Sequence, residues 1–173
     1  VCLAKWGRPG PVWQDIPLDV QGGMVRTEDL LSFNPVAEGY ADSFPATEQW
    51  AEDVVKRLRE AERPLIFAGN GIRLAGAHQE FLKFVDLSGI PVVDGMSSVD
   101  AIPTDHPLFV GREGTTGTRA GNFAMQNCDV LLSLGSRLNY NQTGFQSDAW
   151  ARAAYKMVND IDPQELKKDS IHA

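Results

Sequence analysis

From residue 64 onward, short unbroken apolar runs alternate with stretches whose apolar residues recur every three or four positions. Leu65, Ile66, Phe67 and Ala68 run straight into Gly69 and Gly71. Such a run, bounded by glycine, predicts a strand buried on both faces. Ala77, Phe81, Phe84 and Val85 then share one helical face, while Gln79, Glu80, Lys83 and Asp86 share the other, predicting a helix over 75–88. Upstream, Trp50, Val54, Leu58 and Ala61 form the apolar stripe of a helix over 47–62, with Thr47 as its amino-terminal cap. The same reading places strands at 90–94, 108–110, 130–134 and 155–160, and helices at 118–126, 146–154 and 163–168. Pro163 suits a helix start, where no N–H is needed, and 170–173 is a candidate for one last strand. This alternation implies an α/β domain: an open parallel sheet of about six strands with helices on both faces.

The first 46 residues break the pattern. Residues 12–16 read as a short strand ended by Pro17, which cannot donate to a ladder. A lone terminal strand implies the tail of a preceding domain, so 1–23 is assigned to that domain. Residues 24–46, with Pro35, Gly39 and Pro45 and no period, are assigned as a linker, and 47–173 as the main domain. The net charge of −7, with no basic block, argues against nucleic acid and anionic membranes as partners. Cys2 and Cys128 are too few and too far apart for a disulfide framework or a zinc site, which points to a reducing cytoplasm. No apolar run approaches the roughly 20 residues that span a bilayer. The start at Val1 without a signal pattern suggests a piece of something longer.

Candidate chemistry gathers at the strand ends. Gly69, Gly71, Gly95, Gly111, Gly114 and Gly135 sit at or just past them, with Asp160 and Asp162 in the same position after the fifth strand. In open α/β sheets ligands bind in the crevice at the carboxyl ends of the strands, where glycine lets backbone approach a phosphate. Tight turns also need glycine for steric reasons alone. The bland readings are a solvated His78, a hydrogen-bonding loop His106, an inert buried Cys128, and an Arg137 paired with Asp160 or Asp162. Trp6 and Trp13 are expected to face a missing domain. Glu113 is a candidate acid or base on position alone. A nicotinamide-type Gly-x-Gly-x-x-Gly fingerprint is incomplete, because Leu74 stands at the third glycine and Gly76 comes two residues late.

The ordered motifs Gly7-Arg-Pro-Gly-Pro-Val-Trp-Gln-Asp-Ile-Pro-Leu-Asp-Val20, Arg63 to Ile72, Gly111-Arg-Glu-Gly-Thr-Thr-Gly117, Ala120-Gly-Asn122, Asp129 to Leu138 and Val158 to Pro163 together resemble the acetolactate synthase group of thiamine-diphosphate enzymes. The resemblance covers nearly the whole chain. It implies the tail of the pyrimidine-binding domain followed by the central domain, Rossmann-like and of the DHS-like NAD/FAD-binding type. It further implies a homo-oligomeric parent that acts on 2-oxoacids such as pyruvate. Thiamine diphosphate and magnesium would lie on flanking domains of the same polypeptide; no Gly-Asp-Gly motif occurs here, so the chain alone is expected to be inactive. The positions matching FAD contacts in that family are Gly69, Asn70, Gly71, Met96, Gly111, Gly114, Gly135, Arg137, Asp160 and Asp162. Three places depart from the FAD-binding pattern: Asn70 replaces a middle glycine, Arg112-Glu113 replaces Met-His, and Asn139-Tyr-Asn141 replaces an acidic-acidic-arginine group. Relatives with such changes hold ADP or no nucleotide, which leaves FAD, ADP or an empty docking scaffold as expectations.

Overall fold

A computed structural model describes residues 2–40, 47–168 and 171. The chain divides into two compact units, Val1–Pro45 and Ala46–Ala173. In the first, α1 (Cys2–Lys5) and α2 (Leu18–Gln21) are single turns, with a 3-10 turn at Thr27–Asp29. Trp6 packs edge-on against Tyr40 at 5.2 Å between ring centroids. The strand expected at 12–16 does not form: the backbone there has no ladder partner, and Trp13 is 93% exposed. Without a neighbour to take its N–H and C=O groups, an extended segment stays irregular.

The second unit opens with α3 (Glu48–Glu60), whose first turn is capped by Thr47 Oγ1 accepting from the Trp50 N–H. Of its expected stripe, Leu58 is buried and Val54 half-buried, but Trp50 is 63% exposed. Then follow β1 (Pro64–Ala68), α4 (Gly71–Leu74), α5 (His78–Ser88), β2 (Val92–Asp94), β3 (Phe109–Arg112), α6 (Arg119–Asn127), β4 (Val130–Leu134), α7 (Tyr140–Thr143) and β5 (Tyr155–Asn159). The helix expected from residue 75 starts at His78, because Gly76 takes a left-handed φ of +70° and separates α4 from α5. Residues 146–154 give only a 3-10 turn at Ser147–Ala149, since Ala151 adopts φ 43° and ends any helix there. Residues 163–168 likewise shorten to a 3-10 turn, Glu165–Lys167. Most of the expected strand at 170–173 lies outside the described residues.

Among the described residues the strands form one five-stranded, all-parallel sheet in the order β3-β2-β1-β4-β5. Alternation along each strand sorts its side chains into two cores. Ile66, Ala68, Val92 and Leu132 join Leu58, Ile72, Phe81 and Val85 from α3, α4 and α5 on one face. Leu65, Phe67, Val93 and Leu131 join Met125 from α6 and Leu138, Trp150 and Ala151 on the other. Strand order reverses between β1 and β4, so the switch-point crevice lies where their carboxyl ends part.

Candidate functional site

At the switch point the loops after β1 and β4 touch backbone to backbone. The Gly69 N–H donates to Leu134 O and the Gly71 N–H to Gly135 O, both at 2.9 Å. A Cβ on Gly69 would stand 2.4 Å from Gly135 O, and one on Gly71 would stand 2.6 Å from Gly135 Cα. Glycine is required here because two backbones occupy the space of side chains. Both N–H groups are spent on that contact. Asn70 stands at the start of α4 without capping it through its side chain.

The other expected positions divide between the neighbouring loops. Met96 follows β2 and is 56% exposed. Gly111, inside β3 with φ +135°, packs against Thr118, and Gly114 packs against Asn141 O. Asn122 of α6 holds Gly114 from both sides: its Oδ1 accepts from the Gly114 N–H at 2.9 Å and its Nδ2 donates to Gly114 O at 3.1 Å. Arg137 pairs with neither Asp160 nor Asp162. Its Nε donates to Glu165 Oε1 at 2.7 Å, and Lys168 pairs with the same carboxylate. Burial works to raise the Glu165 acid, but bonds from Lys168 and Arg137 outweigh it and hold the group below its ordinary value. Asp160 and Asp162 each accept from a backbone N–H two residues on, capping the turns after β5. The structure thus joins Gly69, Gly71 and Gly135 in one contact and leaves Met96, Arg137 and the two aspartates apart from it.

Two buried carboxyls lie on the same rim; sequence reasoning missed Asp94 and singled out Glu113 by position alone. Asp94 ends β2 at 0% exposure, with Oδ1 3.4 Å from Arg112 Nε. Burial raises its acid, and Arg112 pulls it back. A carboxylate closing an all-apolar strand was the signal available in the sequence. Glu113 is 2% exposed; its Oε1 accepts from Trp150 Nε1 at 2.8 Å, while Oε2 meets no protein donor. Burial pushes its acid up to about 7 against the pull of the Trp150 bond. Nothing in the sequence places Trp150 beside Glu113, 37 residues away.

The remaining candidates are structural. His78 is not solvated: its Nε2 lies 2.9 Å from Ala101 O. His106 bridges Asp86 and the Leu108 N–H within its loop. Cys128 is buried, and desolvation raises its thiol to about 11. Among the described residues no group of His, Cys, Asp and Glu gathers to hold a metal ion, and no helix is long and apolar enough to cross a membrane. Away from the rim, an apolar groove of about 850 Å³ lies beneath the amino-terminal ends of β1 and β2, lined by residues such as Leu58, Leu65, Phe84, Leu87, Ile90 and Ala124.

These features define a Rossmann-like α/β domain with a tightly closed switch point. The family model described as "Thiamine pyrophosphate enzyme, central domain" matches residues 51–173, and the chain belongs to that family. It is 35% identical to the probable acetolactate synthase large subunit of Methanocaldococcus jannaschii, over 96% of this chain and 28% of that protein. It is 36% identical to the acetolactate synthase large subunit of Corynebacterium glutamicum and 33% identical to acetolactate synthase isozyme 2 large subunit of Escherichia coli, each across 96% of this chain. The aligned region is 26% of the first of these proteins and 29% of the second. The chain therefore spans between a quarter and a third of the relatives it matches.

Proposed function

We propose that this chain is the central domain of a thiamine-diphosphate-dependent, acetolactate-synthase-like enzyme acting on 2-oxoacids such as pyruvate, and that it is not catalytic by itself. The observation that carries this reading is the family match over 51–173 together with large-subunit relatives aligned across 96% of the chain. Thiamine diphosphate and magnesium are assigned to flanking domains of the parent polypeptide, residues 1–23 to the end of the preceding domain, and 24–46 to a linker. The parent assembles as a homo-oligomer in a reducing compartment such as the cytoplasm, in keeping with two free thiols. The test compares pyruvate decarboxylation with thiamine diphosphate and magnesium by this chain and by the full polypeptide. Turnover by the chain alone would overturn the assignment.

For the rim, FAD or ADP on Gly69, Asn70, Gly71, Met96, Gly111, Gly114, Gly135, Arg137, Asp160 and Asp162 competes with a docking scaffold that holds no nucleotide. The hydrogen bonding favours the scaffold. A pyrophosphate cradle needs unspent N–H donors and a free cation, whereas the Gly69 and Gly71 N–H groups are bonded and Arg137 is neutralised by Glu165. Two N–H donors of the loop and the Arg137 Nε are therefore already engaged, which supports the scaffold over a pyrophosphate held there. The apolar groove at the amino-terminal ends of β1 and β2, lined in part by the 89% exposed Leu87, suits domain docking. Absorbance near 450 nm and thermal shifts with FAD and ADP separate the readings, because a binder of the native state raises the melting temperature. Colour or a saturable shift would restore the nucleotide.

A further inference from the structure

Residues 138–151 cross the carboxyl ends of β2 and β3, and both ends of this stretch are strained. Among the described residues, Leu138 (φ 50°) and Ala151 (φ 43°) are the non-glycine positions with positive φ. Both side chains are buried, at 3% and 0% exposure. L residues avoid that region unless the surroundings force them into it, and such strain recurs at hinges and switches. Between the hinges most hydrogen bonds are local, including the Asn139–Gln142 capping box and the bonds that close the turns at Gly144 and Trp150. Two bonds tie the stretch to the loop after β3: the Thr115 N–H to Asn141 O, and Trp150 Nε1 to Glu113 Oε1, each 2.8 Å. Leu138, Trp150 and Ala151 anchor the stretch in the second core, while the residues between them make few long-range bonds, so opening turns on lifting Trp150.

We propose that 138–151 is a hinged strap over the carboxyl rim, with Trp150 seated on Glu113, that stays shut while the buried carboxyl is protonated and opens when it ionises. A neutral carboxyl tolerates burial with one bond satisfied. An ionised one, with Oε2 unpartnered, strongly disfavours the closed form. Lifting Trp150 brings water to that oxygen and removes the penalty. The groups facing Glu113 leave this control to the strap alone. Arg112, beside it on β3, turns to Asp94 of β2. α6 brings the uncharged Asn122 to the loop, and the strap brings Asn141 and Trp150. Asp148 in the strap and Arg152 next to it are exposed. Burial and the Trp150 bond are the two influences on the carboxyl, which rises from 4.5 to about 7. One proton is linked to opening, so the opening constant climbs about tenfold per pH unit up to about pH 7 and then levels off.

The experiment is amide hydrogen exchange read by mass spectrometry on the whole chain at about pH 5, 6, 7 and 8, corrected for intrinsic rates. Protection of 138–151 is expected to fall about tenfold per unit between pH 5 and 7 and to lie well below that of the β1 peptide at every pH. In Glu113→Gln the strap's protection is expected to be flat with pH. Trp150→Phe, which keeps an aromatic ring and removes the N–H, should lower strap protection about tenfold at pH 5 and keep the pH slope. A Glu113→Gln variant that follows the wild-type pH profile would overturn the strap, as would strap protection equal to that of β1 at every pH. Should Glu113→Gln fail to fold, the wild-type profile decides: equal strap protection at pH 5 and 7 ends the proposal.

Discussion

Replacing Gly71 by alanine tests whether the glycines at the switch point serve packing rather than phosphate approach. The added Cβ would stand 2.6 Å from Gly135 Cα and 2.8 Å from Gly135 O. Both are backbone atoms, so no side-chain rotation relieves the clash, and the β1 and β4 loops must part by several tenths of an ångström. That stretches or breaks the 2.9 Å bond from the Gly71 N–H to Gly135 O. Loss of one such bond costs about 1 kcal/mol, and forcing extra volume into a closed contact adds about 1–3 kcal/mol. Alanine in the short α4 returns less than about 1 kcal/mol through helix propensity. The expected net loss is about 2 kcal/mol in the absence of any ligand. Urea unfolding followed by far-UV circular dichroism measures it, with Gly76→Ala as the reference. At Gly76 nothing lies within 4 Å of the added carbon, but φ is +70°, so only the left-handed penalty of about 1 kcal/mol applies. A Gly71→Ala chain within about 0.5 kcal/mol of wild type would refute the packing argument. If that variant also weakened a thermal shift by FAD or ADP, the phosphate reading would replace it.

Stability should fall as pH rises through the range set by Glu113. Between 4.5 and about 7 the unfolded chain releases this proton before the native chain does, which removes up to about 3 kcal/mol in all. Glu113→Gln should lack this slope, and urea midpoints of both chains at about pH 5 and 8 measure the difference; identical slopes would contradict it. Glu165→Gln keeps shape but removes the charge shared by Arg137 and Lys168. The bridge helps only while Glu165 is ionised, so its contribution is lost as pH falls through the lowered native value, and wild type and variant should converge in acid. Thiol labelling near pH 8 should modify Cys2, which is half-buried, and spare Cys128 until the chain unfolds, because burial holds the Cys128 thiol near 11. Labelling of Cys128 in the native chain at a rate like that of Cys2 would contradict its place in the core.

The elements that read most clearly from sequence are those whose neighbours are near in the chain or irrelevant to their period. The run from Leu65 to Ala68 is fully buried in β1, and the Phe81–Val85 stripe packs on the sheet as its spacing implies. Where the reading failed, a distant residue decided. Trp50 has the right spacing for a stripe, but no core reaches it. Residues 146–154 carry helical composition, yet their backbone turns at Ala151, and Trp150 is bonded to Glu113. Arg137 has two carboxylates close in the motif series and takes a third, Glu165, because the loop after β5 folds back onto it.

Periodicity and glycine placement by themselves determined the α/β class, most strands, the helix faces and the rim on which polar groups would gather. They record how each residue meets its own helix or sheet, and that preference is local. Only the tertiary structure decided what the rim does with its groups. It put Gly71 against Gly135, buried Asp94 beside Arg112, and closed Trp150 over Glu113. Whether a donor is spent, or an acid stays protonated, depends on neighbours delivered from far along the chain and on the water they exclude, and no local pattern encodes either.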